Sequence, residues 1–160
     1  MHKHACLVFM LFLVNLPAAA DVPLRPVNTY SIVARDAETG ELGVAVQSHW
    51  FSVGSDVIWA EPGVGAVATQ SFIEPDYGPL GLHLMRSGKS ASQALEALVS
   101  VDEHSAVRQV GMVDANGEVA NFTGAKAIIE YCDLTGDGFA VQANLMWKPT
   151  VCEAMAAAYE

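Results

Sequence analysis

Between Thr29 and Ser48 the chain reads TYSIVARDAETGELGVAVQS, and its alternation admits one local structure. Tyr30, Ile32 and Ala34 interleave with Ser31, Val33 and Arg35. After a break at 36–40, Leu42, Val44 and Val46 interleave with Gly43, Ala45 and Gln47. A period of two belongs to a strand, because successive side chains leave a pleated backbone on opposite sides. The break holds Asp36 and Gly40, which reverse a chain readily, so the stretch predicts a β-hairpin. One face of its second strand carries only Gly43 and Ala45, which lets another backbone come close, and the expectation is a central strand.

The same reading continues along the chain. The stretch 49–56 (HWFSVGSD) predicts a loop with two exposed aromatics, 57–60 a short strand, and VGAVATQS over 64–71 a further one. Gly78-Pro79 is expected to open a helix that stops before Gly88, with Leu80, Leu84 and Met85 as its buried stripe. Ser90 and Gln93 have the spacing of a capping box for a second helix, whose Ala91, Ala94, Leu95 and Leu98 share one side. Strands are predicted over 107–113, 119–122 and 138–145, with Asn116-Gly117 as a two-residue hairpin turn. A last helix over 150–160 carries a Thr150/Glu153 capping box and has no stop signal, so the chain reads as a piece of a longer protein. Strands, then helices, then strands, then a helix is an α+β order, without the alternation of a parallel α/β fold.

Composition excludes one class of partner. With 8 basic against 18 acidic side chains and no basic run, the chain lacks the footprint of a nucleic-acid binder. Residues 1–20 read as a secretory signal peptide: a basic start at His2-Lys3-His4, an apolar run over 5–14 too short to span a bilayer, and small residues at 18–20. Residues 21–28 (DVPLRPVN) form an extended lead-in, and 29–160 a single domain. The expected location is therefore periplasmic or secreted, without membrane attachment once the leader is removed. Removing the leader also takes Cys6, and Cys132 and Cys152 remain. Two partly buried free thiols are the expectation and a disulfide the alternative, because sequence separation says nothing about the Cα distance a bridge requires.

Chemistry is suggested by an echo. Three predicted strands end alike: VAVQS with Gln47 and Ser48, AVATQS with Gln70 and Ser71, and FAVQAN with Gln142 and Asn144. As neighbours in space they would converge as donors and acceptors for a substrate or an oxyanion. Thr29 is the sharper candidate. A threonine at a chain's own N-terminus has a free α-amine, with a pKa of about 7.7–8.0, to activate its hydroxyl. That requires cleavage of the Asn28–Thr29 bond, and Ser31 is the fallback hydroxyl. No metal or other cofactor is expected. Asp133, Thr135 and Asp137 imitate the first half of a calcium loop, but its twelfth position is Asn144, and a Gly-rich turn accounts for the stretch better. His49, His83 and His104 have no ligand spacing.

Ordered motifs along the whole of 29–160 resemble a bacterial family, domain-of-unknown-function family 1028. They are TYSIVARD at 29–36, TGELGVAVQS at 39–48, GVGAVATQ at 63–70, YGP at 77–79, RQVG at 108–111, FTG at 122–124 and VQ at 141–142. The resemblance implies an Ntn-hydrolase-like αββα sandwich, two antiparallel sheets between helix layers. Thr29 matches the family's first-strand threonine, and members without an export signal tend to begin near it. The chain departs from the family in ending where members continue through a further helix and strands, and in placing Cys132 later than the family's cysteine. The functional expectation is an exported N-terminal-nucleophile-type hydrolase of an amide bond. Its substrate would be a small molecule or peptide-like, and a homo-oligomer is compatible. The alternative is a non-catalytic protein binding a small ligand or cell-envelope component on the same fold.

Overall fold

Apolar alternation builds two sheets here, and the computed structural model describes them over residues 28–160. The signal-peptide expectation for 1–20, and that of a lead-in over 21–27, lie outside the described residues. The hairpin is present as β1 (Thr29–Arg35) and β2 (Leu42–Ser48), in a register that pairs Thr29 with Ser48. A one-turn helix α1 (Gly54–Val57) leads into β3 (Ile58–Glu61) and β4 (Gly65–Ser71). Helices α2 (Tyr77–Arg86) and α3 (Ala91–Val101) follow, then β5 (Arg108–Asp114), β6 (Val119–Thr123), β7 (Cys132–Gly136), β8 (Phe139–Asn144) and α4 (Val151–Tyr159). The fold is α+β: two antiparallel four-stranded sheets, ordered β2-β1-β8-β7 and β3-β4-β5-β6, with four helices among the described residues.

Three apolar clusters separate the layers. Val67, Val110 and Met112 on one face of the second sheet meet Leu82, Met85, Ala94 and Leu95 of α2 and α3. Phe139, Val141 and Ala143 on the outer face of the first sheet meet Cys152 and Ala156 of α4. Between the sheets, Val33 packs with Ala66, Ala68, Val113 and Ala140. Each fully buried Val, Leu, Phe or Met side chain among these contributes roughly 1.5–3 kcal/mol, and each alanine less. Along the inward face of β1 the environment then changes from Val33 through Ser31 to Thr29, so the apolar inter-sheet layer gives way to a polar one at a single end.

Several expectations are corrected. Among the described residues β2 is an edge strand, pairing β1 alone, and none of them would lie within 4 Å of a Cβ at Gly43. Its small face is exposed among the described residues, while β1 and β8 take the centre. The stretch 133–138 is not simply a Gly-rich turn: 132–136 is strand β7, and the turn itself is Asp137-Gly138, with Gly138 at φ +72, between paired Gly136 and Phe139. Asn116-Gly117 belongs to a three-residue loop, not a two-residue turn: Asp114 N bonds Glu118 O, and Gly117 at φ +87 supplies the left-handed step. In α2 the buried side is Tyr77, Gly78, Gly81, Leu82 and Met85, while Leu80 is exposed. Gly78 lets the helix sit directly on Trp59, whose ring would lie 2.0 Å from a Cβ there. The Ser90/Gln93 capping box is formed, but Thr150 makes no side-chain cap. Cys132 and Cys152 are a disulfide rather than free thiols, with Cα atoms 6.0 Å apart, inside the range a bridge requires.

Candidate functional site

Strand ends decide what meets between the sheets. Thr29 pairs with Ser48 on one side and Asn144 on the other; Ser31 lies opposite Gln142; Gln70 lies opposite Gln109 in the facing sheet. All of these but the half-buried Ser48 are almost wholly buried, and a buried amide must find partners or cost about 1–3 kcal/mol. They find one another. Ser31 Oγ donates to Gln70 Oε1 at 2.9 Å, and Gln70 Nε2 donates to Gln109 Oε1 at 2.7 Å. Asn144 Nδ2 donates to the same Gln109 oxygen at 3.2 Å, and Gln142 Nε2 donates to Ser31 Oγ at 3.2 Å.

The direction of this chain follows from backbone carbonyls, which only accept. Gln109 Nε2 lies 3.2 Å from both Cys132 O and Ala143 O, so its oxygen must face Gln70. Gln142 Nε2 lies 3.1 Å from Ala68 O, which orients that amide as well. Gln109 Nε2 also reaches Thr123 Oγ1, whose hydroxyl donates to Asp133. Hydrogen bonds therefore run one way, from Gln142 through Ser31, Gln70, Gln109 and Thr123 to a carboxylate, and bonds in such a series polarise one another. Two consequences matter for chemistry. The Ser31 proton is committed to Gln70, and Ser31 is buried. Gln70 carries two Nε2 hydrogens, of which Gln109 takes one.

Gln70 also lines a cavity of about 260 Å³ that opens beside Thr29. Thr29, Ser48, Gln70 and Ser71 form its polar side; Trp50, Phe51, Val53, Val57 and Ile73 form its apolar side. Asp56 is the one charged residue among the described residues of the lining. Thr29 Oγ1 and Ser48 Oγ are 2.8 Å apart, and Ser48 Oγ accepts from Trp50 N at 3.1 Å. His49 N donates to Asn28 O at 3.1 Å, which holds the peptide preceding Thr29 against the end of β2. Ser71 has φ +70 and Ser52 φ +56, left-handed conformations that serine adopts only when its surroundings impose them. Ser71 Oγ accepts from Ile128 N at 3.0 Å, and this contact ties the end of β4 to the loop before β7.

The loop after β4 is anchored from behind. Arg108, almost fully buried, donates through Nη1 to Phe72 O at 2.8 Å and Ile73 O at 3.0 Å, and through Nε to Asp102 at 2.8 Å. That hydrogen bond from Arg108 is the main reason the Asp102 carboxyl is held below its ordinary range, and it raises Arg108 in turn. Burial raises the Tyr77 phenol well above its usual value, so it stays protonated and donates to Asp102 at 3.2 Å.

Thus Thr29, Ser48, Gln70 and Ser71 share the cavity, and Ser31, Gln142 and Asn144 form the network behind it. Gln47 does not join them: it sits one residue before Ser48, on the opposite face of β2, exposed beside Tyr30. Gln109, the hub of the network, carries no signal in the sequence beyond its place in the RQVG motif. Asp56 gave none, lying in a stretch without periodicity. A larger cleft of about 800 Å³ at the opposite end, near Asp36, Glu41 and Glu61, brings no comparable set of hydroxyls and amides together.

A family model described as "Family of unknown function (DUF1028)" matches residues 29–160. No curated protein matches the chain. Among solved structures it is similar to the crystal structure of protein SPO2555 from Silicibacter pomeroyi, which carries the same family model. The likeness has a TM-score of 0.79 at 28% identity, covering 82% of this chain and 59% of that one. The chain therefore spans 59% of the length of the solved structure it matches.

Proposed function

The chain belongs to the DUF1028 family, and from its own residues we propose that it is an exported hydrolase of the N-terminal-nucleophile type, acting on the amide bond of a small or peptide-like substrate. On this reading the layers are those of an Ntn-hydrolase-like αββα sandwich. The observation that carries it is Thr29, the first residue of a central strand, with its hydroxyl at a cavity whose back wall is an oriented glutamine.

Cleavage after Asn28 frees the Thr29 α-amine, a base of pKa about 7.7–8.0. The amine takes the hydroxyl proton as Oγ1 bonds to the substrate carbonyl carbon, and the carbonyl oxygen becomes an oxyanion. Gln70 Nε2 offers its second hydrogen to that oxyanion, from a group held in place at both ends. As the C–N bond breaks, the ammonium returns its proton to the leaving nitrogen and an ester to Thr29 remains. Water then adds to the ester with the amine again as base, releasing the acid and restoring the hydroxyl. Ser48 orients the Thr29 oxygen. The left-handed Ser71 in the cavity lining supports a functional reading, because strain of this kind gathers at active sites. The Cys132–Cys152 disulfide supports export, because such bonds persist in oxidising compartments.

N-terminal sequencing and intact mass of the mature protein test the proposal directly. A chain beginning at Thr29 is the expected result. A folded mature protein whose Asn28–Thr29 bond is uncut ends the case for covalent catalysis by Thr29 and leaves the same cavity as a small-ligand site.

A further inference from the structure

Resting on that reading of the cavity, we propose that the group it receives is a compact apolar amide bearing one positive charge, with the charge held between Asp56 and the aromatic wall of Trp50 and Phe51.

Size sets the first limit. About 260 Å³ falls just below the ~300–1,000 Å³ of pockets for drug-sized ligands, which is room for one amino-acid-sized residue. The lining sets the second. Its apolar half would bury a hydrocarbon or aromatic group, and its polar half faces the reacting carbonyl. Asp56 is the remaining feature, and among the described residues no cationic side chain lines the cavity to neutralise it. Of its oxygens, Oδ1 accepts from Ser55 Oγ at 3.2 Å, which leaves capacity for a further donor. An anionic ligand would be repelled by this carboxylate, and a neutral donor would gain a hydrogen bond from it but no ion pair.

Aromatic rings that line the same cavity as a carboxylate favour an ammonium group in particular, because a ring face attracts a cation within about 6 Å of its centre. Trp50 is 69% and Phe51 98% exposed, so both rings stand at the mouth, where an entering cation meets them. The wall is coupled to the chemistry: Trp50 N donates to the Ser48 oxygen that also pairs with Thr29. A ligand seated against Trp50 is therefore registered against the nucleophile. The excess of acidic over basic side chains draws cations toward the protein as well.

Titration of the folded protein at pH 7, read by calorimetry and tryptophan emission, tests this with three probes: phenylalanine amide (cationic), N-acetylphenylalanine amide (neutral) and 3-phenylpropionate (anionic). The cation is expected to bind at least tenfold more tightly than the neutral probe, and the anion not to bind. Asp56→Asn should reduce the preference to less than twofold and Asp56→Glu should keep it, with circular dichroism melts verifying that both variants fold. Equal binding of cation and neutral probe, a preference that survives Asp56→Asn, or no binding by any probe overturns the inference. Binding needs no turnover, so the two ideas fail separately. A mature chain beginning upstream of Thr29 that still prefers the cation removes the catalysis and keeps the ligand class; a chain beginning at Thr29 without the preference does the reverse.

Discussion

Thr29 and Ser48 face each other across the β1–β2 ladder with their hydroxyl oxygens 2.8 Å apart, and Ser48 also accepts the Trp50 amide. One small side chain thus orients the candidate nucleophile and fixes the start of the loop that walls the cavity. Ser48→Ala removes both bonds. At a net 0.5–1.5 kcal/mol each, the variant should lose about 1–3 kcal/mol in urea denaturation, and Trp50 emission should shift to the red as the loop loosens. Any amide hydrolysis should fall by roughly tenfold or more, because 1.36 kcal/mol of lost orientation is already a factor of ten. Unchanged emission and stability would mean that this pair positions nothing.

Gln109 carries a larger share of the inter-sheet layer. Its oxygen accepts from Gln70 and Asn144, both buried. Gln109→Leu fills similar space but leaves two buried donors without that acceptor, at about 1–3 kcal/mol each, so a loss of about 2–6 kcal/mol is expected. Gln109→Glu should be no milder, because a carboxylate cannot donate to the Cys132 and Ala143 carbonyls. The midpoint of urea unfolding should fall while its slope is unchanged.

What could be read from the sequence was whatever is decided locally. The 29–48 hairpin and the Ser90/Gln93 box are set by local alternation, turn residues and cap spacing, and both are in the structure. The polar strand ends were legible as an echo, but an echo does not record parity. Gln70 and Gln142 fall on inward positions, whereas in β2 the inward residue is Ser48 and Gln47 points away. Which face of a strand turns inward is settled by where the other sheet lies, a non-local fact. Strand β7 is the same case: CDLTG alternates Cys132 and Leu134 with Asp133 and Thr135 over too few residues to outweigh its turn-like composition, and β8 pairs with it while Cys152 tethers it. The edge position of β2 was hidden for the converse reason, since a Gly/Ala face suits both close packing and open solvent.

Acid should weaken the fold through Asp102. Its folded pKa is depressed, first by the Arg108 hydrogen bond and then by the His104 amide, while burial opposes them. A depressed carboxyl contributes fully above its unfolded pKa of about 3.9, and the contribution is lost as pH falls through the lower folded value. The urea midpoint should therefore fall as pH is taken below about 4. In Asp102→Asn it should start lower and decline less over that window. Asp36, Glu61 and Glu118 are also depressed but lie at the surface, so their share should shrink at high salt while that of Asp102 persists.

The disulfide joins β7 to α4, and this small helix holds the outer face of the first sheet with Cys152 and Ala156 as its buried residues. Its tip adds one aromatic contact, Tyr159 with Phe139, at 4.8 Å between ring centres. So little buried surface makes α4 dependent on the cross-link. The cysteines are 20 residues apart, and closing a loop of that size in the unfolded chain is worth about 3 kcal/mol. Reduction should lower stability by about that amount and raise hydrogen exchange first at 151–159, while a Cys132→Ser/Cys152→Ser double variant should match the reduced protein and ignore reductant. Cys132 also lends its carbonyl to Gln109, so exchange of the Gln109 side-chain amide should quicken on reduction as well. An α4 that stays protected without the bond would mean that its few apolar contacts suffice by themselves.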